Sequence, residues 1–242
     1  MSNKFAVIVL AAGSGTRMRS KTPKVMHELA GLPLLGHALS TATALGADHV
    51  IPVVRHEREL IVNYIYTFYP TAVVADQDDI PGTGRAVECG LEKLDANFDG
   101  TVVVTSGDVP LLDVATLQLM VEAHVEGGYH ATVLSSIAEN PTGLGRIIRN
   151  QGDEFVGIIE HRDATADQQA ITEVNAGVYV FHAPSLREKL AAVGMDNAQQ
   201  EKYLTDVVAA LASEGGKVQA LTVNDNWLVA GINDRVQLGE VT

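Results

Sequence analysis

The sequence predicts an α/β protein built on a doubly wound, mainly parallel, Rossmann-like mixed sheet. In the first half, apolar runs of about 5 residues alternate with amphipathic runs of about 11, which is typical of parallel strands covered by helices. After residue 130, strand-like runs follow one another with short connections, which predicts a mixed sheet. The 242 residues suit one large domain, and the 46% of hydrophobic residues can form a sizeable core.

The elements of the first half alternate regularly. Residues 5–10 (FAVIVL) predict a buried strand, and residues 101–105 (TVVVT) predict a central one. The run 49–54 also predicts a strand, although Pro52 weakens it because proline cannot donate to a ladder. The remaining elements predicted here are the helices 36–46, 57–68, 84–94 and 114–127 and the strand 72–76.

The second half predicts a substrate-binding β lobe, mainly within residues 130–230, beside the first part of the sheet. Since neither a repeat nor a low-complexity linker interrupts the chain, residues 1–242 are expected to form a single domain. The elements predicted in this half are the strands 130–136, 145–149, 155–159, 173–181 and 217–223 and the helices 184–193 and 203–213.

The composition excludes several classes of function. The formal net charge is -13, so the surface repels nucleic acid, although a nucleotide-sized ligand needs only a few local cations. The single cysteine, Cys89, cannot form an internal disulfide, which favours the cytoplasm. The apolar run 5–12 is too short for a signal peptide, and no run approaches the roughly 18 apolar residues of a membrane span. We therefore expect a soluble, cytoplasmic protein.

A glycine-rich loop with the sequence LAAGSGTRM follows the first strand, at residues 10–18. Its small residues let the backbone approach a phosphate or a base, and consecutive N–H groups can bind an anion. Arg17 and Lys24 follow at the edge of this loop and can neutralise phosphate charge. The loop therefore predicts a nucleotide site.

Two other types of phosphate-binding loop do not fit this sequence. A dinucleotide-binding loop requires a small residue where Met18 stands, and an acidic residue after a second strand; both are missing. An ATPase-type phosphate loop requires Gly-Lys-Ser/Thr, which is absent. A plain turn between a strand and a helix remains open, but it leaves the two cations beside Pro23 unexplained in an acidic chain.

Asp108 is the best candidate metal ligand. It follows the strand 101–105 at its carboxyl end, where open α/β sheets bind ligands, and Gly107 before it leaves room for one. Carboxylate oxygen suits Mg²⁺, which keeps several waters and needs few protein ligands. The alternative is that Asp108 caps the helix 114–127.

A series of motifs along the chain resembles the sugar-nucleotide pyrophosphorylases. Within them, the match is to the uridylyltransferase part of the bacterial bifunctional N-acetylglucosamine-1-phosphate uridylyltransferases/glucosamine-1-phosphate acetyltransferases, from about residue 5 to residue 238. The motifs are LAAGSGTRM, TPK (22–24), VMHELAG (25–31), GTG (82–84), GDVPL (107–111), PTGLGRI (141–147), IEHRDA (159–164), NAG (175–177), YLTD (203–206) and GINDR (231–235).

This resemblance implies a nucleotidyltransferase-type fold and transfer of UMP from UTP to N-acetylglucosamine-1-phosphate, which gives pyrophosphate and UDP-N-acetylglucosamine for cell-wall precursors. It implies that Arg17 and Lys24 meet the phosphates as catalytic residues and that Asn233 joins Asp108 at Mg²⁺. For Asn233 the alternative is the start of a helix at Gly-Ile-Asn-Asp. The hexapeptide-repeat acetyltransferase half is absent from this sequence, so we expect a monomer or a weak oligomer.

The base and sugar sites are also implied by the resemblance. Gln77 is expected to read the uracil edge through paired donor and acceptor atoms. Gly145, Glu160 and Asn175 are expected to hold the N-acetylglucosamine moiety, although a solvated charge is the alternative for Glu160. The other expected nucleotide contacts are Leu10, Ala11, Ala12, Gly13, Gly15, Thr16, Gly82, Thr83 and Gly107.

Two features leave the exact activity open. The stretch DDIP (78–81) departs from the pattern of the family and adds negative charge near the nucleotide. Few contacts decide specificity, so a sugar-1-phosphate nucleotidyltransferase that uses another base or sugar is the alternative within the class. A catalytically silent sugar-nucleotide sensor is the alternative outside it, and it predicts loss of Asp108, Arg17 or Lys24, all of which are present.

Overall fold

A computed structural model of the chain describes residues 4–241. The strands are β1 (Phe5–Ala11), β2 (Glu28–Leu29), β3 (Leu32–Pro33), β4 (His49–Val54), β5 (Ala75–Asp76), β6 (Thr101–Ser106), β7 (Ala131–Ile137), β8 (Arg146–Arg149), β9 (Phe155–Ile159), β10 (Glu173–His182) and β11 (Val218–Val223). The α-helices are α1 (Leu34–Ala44), α2 (Arg58–Phe68), α3 (Thr83–Leu91), α4 (Val114–Gly127), α5 (Ala166–Gln169), α6 (Ala183–Ala192), α7 (Leu204–Ser213) and α8 (Arg235–Glu240). Short 3-10 helices cover Thr16–Met18, Lys24–Met26 and Asn226–Val229.

The main sheet has the order β11-β7-β10-β6-β1-β4-β5. All neighbouring strands on this path are parallel except β10, which runs antiparallel to both β6 and β7. The β8–β9 hairpin joins the sheet beside β10, where Val174 pairs with Arg146. The predicted mixed, mainly parallel sheet is therefore confirmed, and the strands after residue 130 continue the same sheet.

Helices cover both faces of this sheet. Along β1, Ala6 and Ile8 pack into one hydrophobic cluster while Val7 and Val9 pack into another, because side chains alternate between the faces of a strand. Each of these four residues has no exposed surface, which explains why the strand reads as a continuous apolar run. Helices α3, α6 and α7 cover the first face, and α1, α2 and α4 cover the second.

Pro52 lies inside β4 without breaking it. The carbonyls of Val50 and Val54 accept from Val73 and Gln77 at 3.0 and 2.9 Å, so this set of alternate residues faces the β5 side. By the same alternation the backbone of Pro52 also faces β5. Because proline has no N–H to donate to that strand, the pairing between β4 and β5 is limited to two residues. The predicted strand 72–76 is therefore shorter than expected.

The other differences concern short elements. The β2–β3 hairpin, α5 and the three 3-10 helices were not predicted, because these short runs show no regular hydrophobic pattern. The start of α8 was expected only as the alternative for Asn233. The longer helices and strands fall within a few residues of their predicted bounds. Within residues 4–241, every helix is too short or too polar to cross a bilayer.

A buried histidine in the last turn of α4 predicts a pH dependence of stability. His124 Nδ1 lies 3.0 Å from the Thr132 hydroxyl, which itself accepts from Gln219 at 3.1 Å. Burial, reinforced by His182 and His130, lowers the pKa of His124 to about 4. The neutral ring is therefore the native form, and its contribution is present above the unfolded pKa of about 6.5 and lost as pH falls towards 4.

Between pH 7 and pH 4.5 we expect the free energy of unfolding to fall by about 2 kcal/mol less in His124→Gln than in the wild type. Urea unfolding followed by circular dichroism at both pH values measures this difference. A His49→Gln variant is the control, because that histidine is exposed and its replacement should leave the dependence unchanged. Identical pH dependences in the His124 variant and the wild type would contradict the expectation.

Candidate functional site

The carboxyl ends of three parallel strands meet at one edge of the sheet. Leu10 of β1 is in register with Val53 of β4 on one side and with Ser106 of β6 on the other. The glycine-rich loop follows β1, and Asp108 follows β6, so both reach this edge together. Ligands bind at such an edge in open α/β sheets, which makes it the candidate site.

Four polar side chains from distant parts of the sequence converge there. The Lys24 ammonium forms an ion pair with the Asp108 carboxylate, and the two side chains are only 13% and 14% exposed. The same ammonium donates to Asn233 Oδ1 at 3.2 Å, and Arg17 Nη2 donates to that oxygen at 3.0 Å. The structure thus brings together all the residues predicted to bind the metal and the phosphates.

The glycine loop is built to present these cations. Gly15 has φ +60°, and a Cβ at this position would lie 2.5 Å from Lys24 Cβ, so only glycine lets the loop pack so closely. Met18 is 1% exposed and anchors the 3-10 helix that carries the exposed Arg17. The packing of Gly15 and Met18 thus fixes the segment on which Arg17 lies.

The alternatives for the two candidate metal ligands have different outcomes. Helix α4 is capped by Asp113, which accepts from Thr116 N at 2.7 Å, and not by Asp108. A helix does start at Gly-Ile-Asn-Asp, because α8 follows it with Asp234 as its cap, while Asn233 Oδ1 accepts from the two cations. The Asp108 carbonyl accepts from Ile232 N at 2.8 Å, which holds the segment of Asn233 against it.

The donor set fits a hard divalent cation. Carboxylate and amide oxygens are what Mg²⁺ prefers, and the Lys24 ammonium already shows that Asp108 and Asn233 converge on one positive charge. Within residues 4–241, no group of three or more His, Cys, Asp or Glu side chains is arranged to hold a metal ion. Two protein oxygens would be enough for such an ion, since Mg²⁺ usually keeps several waters.

A cavity of about 350 Å³ opens beside this cluster. Lys24 and Asp108 contribute to both the cluster and the cavity wall, which makes the two parts one site. Gly15, Thr16 and Gly107 are not among the lining residues, unlike the other expected nucleotide contacts. Those that do line the cavity are Leu10, Ala11, Ala12, Gly13, Gln77, Gly82 and Thr83.

Two predicted nucleotide residues are arranged differently from the expectation. The Gln77 amide donates both of its N–H groups to the carbonyls of Ile80 and Gly82, at 2.9 and 3.2 Å, so only its oxygen remains for a ligand. Gly107 is buried and donates to Leu10 O at 2.8 Å, and a Cβ there would lie 3.1 Å from Leu35. Its small size therefore serves packing at the ends of β1 and β6.

The acidic stretch beside the cavity is neutralised by arginines. Arg85 Nη2 binds Asp78 at 2.7 Å, and this side-chain hydrogen bond holds the pKa of Asp78 below its usual range. Arg55 Nη2 lies 3.1 Å from Asp79, whose carboxylate is fully exposed. The negative charge expected here from the sequence is thus largely compensated.

The predicted sugar residues lie together at the ends of β8, β9 and β10. Asn175 N donates to Gly145 O at 2.9 Å, and Glu160 Oε1 accepts from the Thr205 hydroxyl at 3.0 Å. Burial raises the pKa of Glu160, so this carboxyl is not simply a solvated charge. The Asn175 side chain is already engaged by Tyr179 and by the backbone of Gly177, which fixes its orientation.

Eight residues of the cavity wall were not predicted as site residues: Ser14, Val25, Arg55, His56, Pro81, Ala86, Ser106 and Glu201. Arg55 and His56 directly follow β4, so the rule that ligands bind at the carboxyl ends of strands could have identified them. Glu201 gives no comparable signal, because the connection between α6 and α7 brings it to the site from elsewhere in the chain.

Residues 7–214 match the family model of the MobA-like NTP transferase domain. The chain is 57% identical over 237 residues to the bifunctional protein GlmU of Clavibacter sepedonicus, which covers 98% of this chain and 48% of that protein. It is 52% identical over 236 residues to the bifunctional protein GlmU of Kineococcus radiotolerans, with coverages of 98% and 48%. The chain thus spans about half the length of the curated relatives it matches.

Among solved structures, a UDP-glucose pyrophosphorylase in complex with UDP-glucose is similar, with a TM-score of 0.78. The sequences are 15% identical, and the superposition covers 99% of this chain and 97% of the other. At such low identity the likeness concerns the fold alone, and it confirms the predicted nucleotidyltransferase-type α/β fold.

Proposed function

The chain belongs to the MobA-like NTP transferase family, and from this premise we propose that it transfers UMP from UTP to N-acetylglucosamine-1-phosphate, with release of pyrophosphate. The motif resemblance to the bifunctional GlmU proteins is confirmed at 57% identity to one of them. The observation that carries the proposal is the convergence of Arg17, Lys24, Asp108 and Asn233 at one end of the cavity.

The reaction joins two anions, so their mutual repulsion is the first obstacle. A phosphate oxygen of the sugar attacks the α-phosphorus of the triphosphate, and pyrophosphate leaves from the opposite side. Arg17 and Lys24 reduce the repulsion and stabilise the charge of the leaving group, while the glycine loop orients the triphosphate. A nucleophile from the protein is not required.

Asp108 and Asn233 would hold the Mg²⁺ ion. When bound, the ion supplies Lewis-acid stabilisation of phosphate charge. Lys24 contacts both of these oxygens and so keeps them together.

Base and sugar selection follow from groups around the cavity. Gln77 Oε1 remains free to accept from uracil N3–H, since its own N–H groups hold the 77–82 loop. Glu160 and Asn175 would contact the hydroxyl and acetamido groups of the sugar. A pocket that hydrogen-bonds such groups discriminates well against analogues that lack them.

A pyrophosphate-release assay over a panel of substrates tests the proposal. UTP, CTP, dTTP and ATP are each combined with N-acetylglucosamine-1-phosphate, glucosamine-1-phosphate and glucose-1-phosphate in the presence of Mg²⁺. We expect the highest kcat/KM for UTP with N-acetylglucosamine-1-phosphate and complete loss of turnover in EDTA. A preference for another pair would assign a different nucleotidyltransferase activity. If no pair were turned over, the proposal that the chain is a nucleotidyltransferase would be rejected.

A further inference from the structure

The segment of residues 201–205 lies between the two substrate subsites. On one side, Leu204 N donates to the Thr83 hydroxyl at 3.1 Å, and Thr83 lines the nucleotide cavity. On the other side, Thr205 donates to Glu160, the proposed sugar carboxyl, at 3.0 Å. Glu201 itself contributes to the cavity wall. This segment therefore contacts the base side and the sugar side at once.

The backbone of Lys202 packs directly against the 77–82 loop, which lines the cavity and is called the nucleotide loop below. Lys202 N donates to Pro81 O at 3.0 Å, and Lys202 O accepts from Gly84 N at 2.8 Å. A Cβ on Gly82 would lie 2.3 Å from Lys202 O, so no side chain fits between the two segments. The position of the loop that lines the cavity thus depends directly on the position of residue 202.

The Lys202 side chain fixes this packing from the outside. Its ammonium lies 2.5 Å from Glu88 Oε1, and the two side chains are 13% and 20% exposed. Glu88 also binds Arg85 at 3.1 Å, and Arg85 in turn binds Asp78 next to Gln77. Helix α3 and the nucleotide loop are therefore linked to the 201–205 segment through one partly buried chain of charges.

We propose that Lys202 is a positioning residue, which holds the nucleotide loop and the 201–205 segment in register through its ion pair with Glu88. This inference rests on the proposed function and adds a determinant of nucleotide affinity to it. Lys202 has no contact with Arg17, Asp108 or Asn233 among the described residues. Its loss should therefore affect substrate binding more than the chemical step.

The test measures KM and kcat for UTP in Lys202→Met, Lys202→Arg and Glu88→Gln, with sugar phosphate at saturation. We expect Lys202→Met and Glu88→Gln each to raise KM about fivefold to tenfold, because each change removes the ion pair that holds residue 202 against helix α3. We expect kcat to change less than about twofold, and Lys202→Arg to restore most of the lost affinity.

Lys189→Met is the matched control. Lys189 is 12% exposed and also pairs with carboxylates, those of Glu188 and Glu214, but it lies on α6 away from the cavity. Its loss should leave KM unchanged. An unchanged KM in Lys202→Met, or a loss of kcat as large as the change in KM, would overturn the positioning role.

Amide hydrogen exchange at Gly84 gives a second measurement that does not need turnover. We expect faster exchange of this N–H in Lys202→Met than in Lys189→Met, since Gly84 donates to the backbone of residue 202. If the wild type turns over no substrate pair, the proposed function fails. The exchange rates alone then test whether Lys202 positions the nucleotide loop. Equal exchange in both variants would reject this role.

Discussion

Asp108→Asn should lower kcat with UTP and N-acetylglucosamine-1-phosphate about 100-fold to 1,000-fold at ordinary Mg²⁺ concentrations. The substitution keeps the size of the side chain but removes the negative charge that a hard cation needs, and with it several kcal/mol of phosphate stabilisation. It also removes the ion pair that holds the Lys24 ammonium opposite Asn233. Steady-state kinetics at increasing Mg²⁺ measure the loss.

Asp113→Asn is the control for this experiment. Asp113 lies five residues further on and caps α4, and asparagine is an equally good cap, so we expect near wild-type kinetics and stability. If Asp108→Asn kept near-normal turnover, Asp108 would be removed from the metal site and the proposed arrangement would be wrong.

Gly82→Ala should destabilise the fold by about 2–4 kcal/mol and raise the KM for the nucleotide more than about tenfold. Gly82 has φ +115°, a conformation that alanine rarely adopts. The added Cβ would also lie 2.3 Å from Lys202 O, and backbone atoms cannot move aside as the end of a flexible side chain can. The loop must therefore shift out of the cavity wall that it forms.

Gly46→Ala separates the effect of the positive φ from the effect of the contact with Lys202. Gly46 has φ +81°, but nothing lies within 4 Å of an added Cβ, and the residue is remote from the cavity. We expect it to cost only about 1 kcal/mol and to leave KM unchanged. Thermal unfolding and UTP kinetics of both variants make the comparison; equal effects of the two substitutions would show that the contact with Lys202 is unimportant.

The central part of the fold follows from the sequence because its signals are local. A buried parallel strand such as β1 needs an unbroken apolar run, and the same rule places Asp108 and the glycine loop at one edge of the sheet. The convergence of Arg17 with Asn233 could be expected only from the family resemblance, since 216 residues separate them.

The remainder of the site depends on contacts that no local pattern encodes. The sequence shows Asp78 and Asp79 as excess negative charge, whereas their arginine partners become evident only when β4 and α3 are in place. Likewise, the sequence shows Gln77 as both a donor and an acceptor, but the carbonyls of Ile80 and Gly82 accept its N–H groups. Contacts formed on folding thus decide which atoms remain available to a ligand.

The proline in β4 also bears on the solubility of the protein. Because Pro52 faces β5, the sheet ends on this side in a strand of only two residues, Ala75–Asp76, with Asp76 held by Arg58. Edge strands invite a second chain to extend the sheet, and short, charged edges discourage it. Aggregation by strand addition is therefore disfavoured at this edge, whereas β11 at the opposite edge offers six residues. A proline that weakens the prediction of a strand from the sequence thus protects the folded sheet.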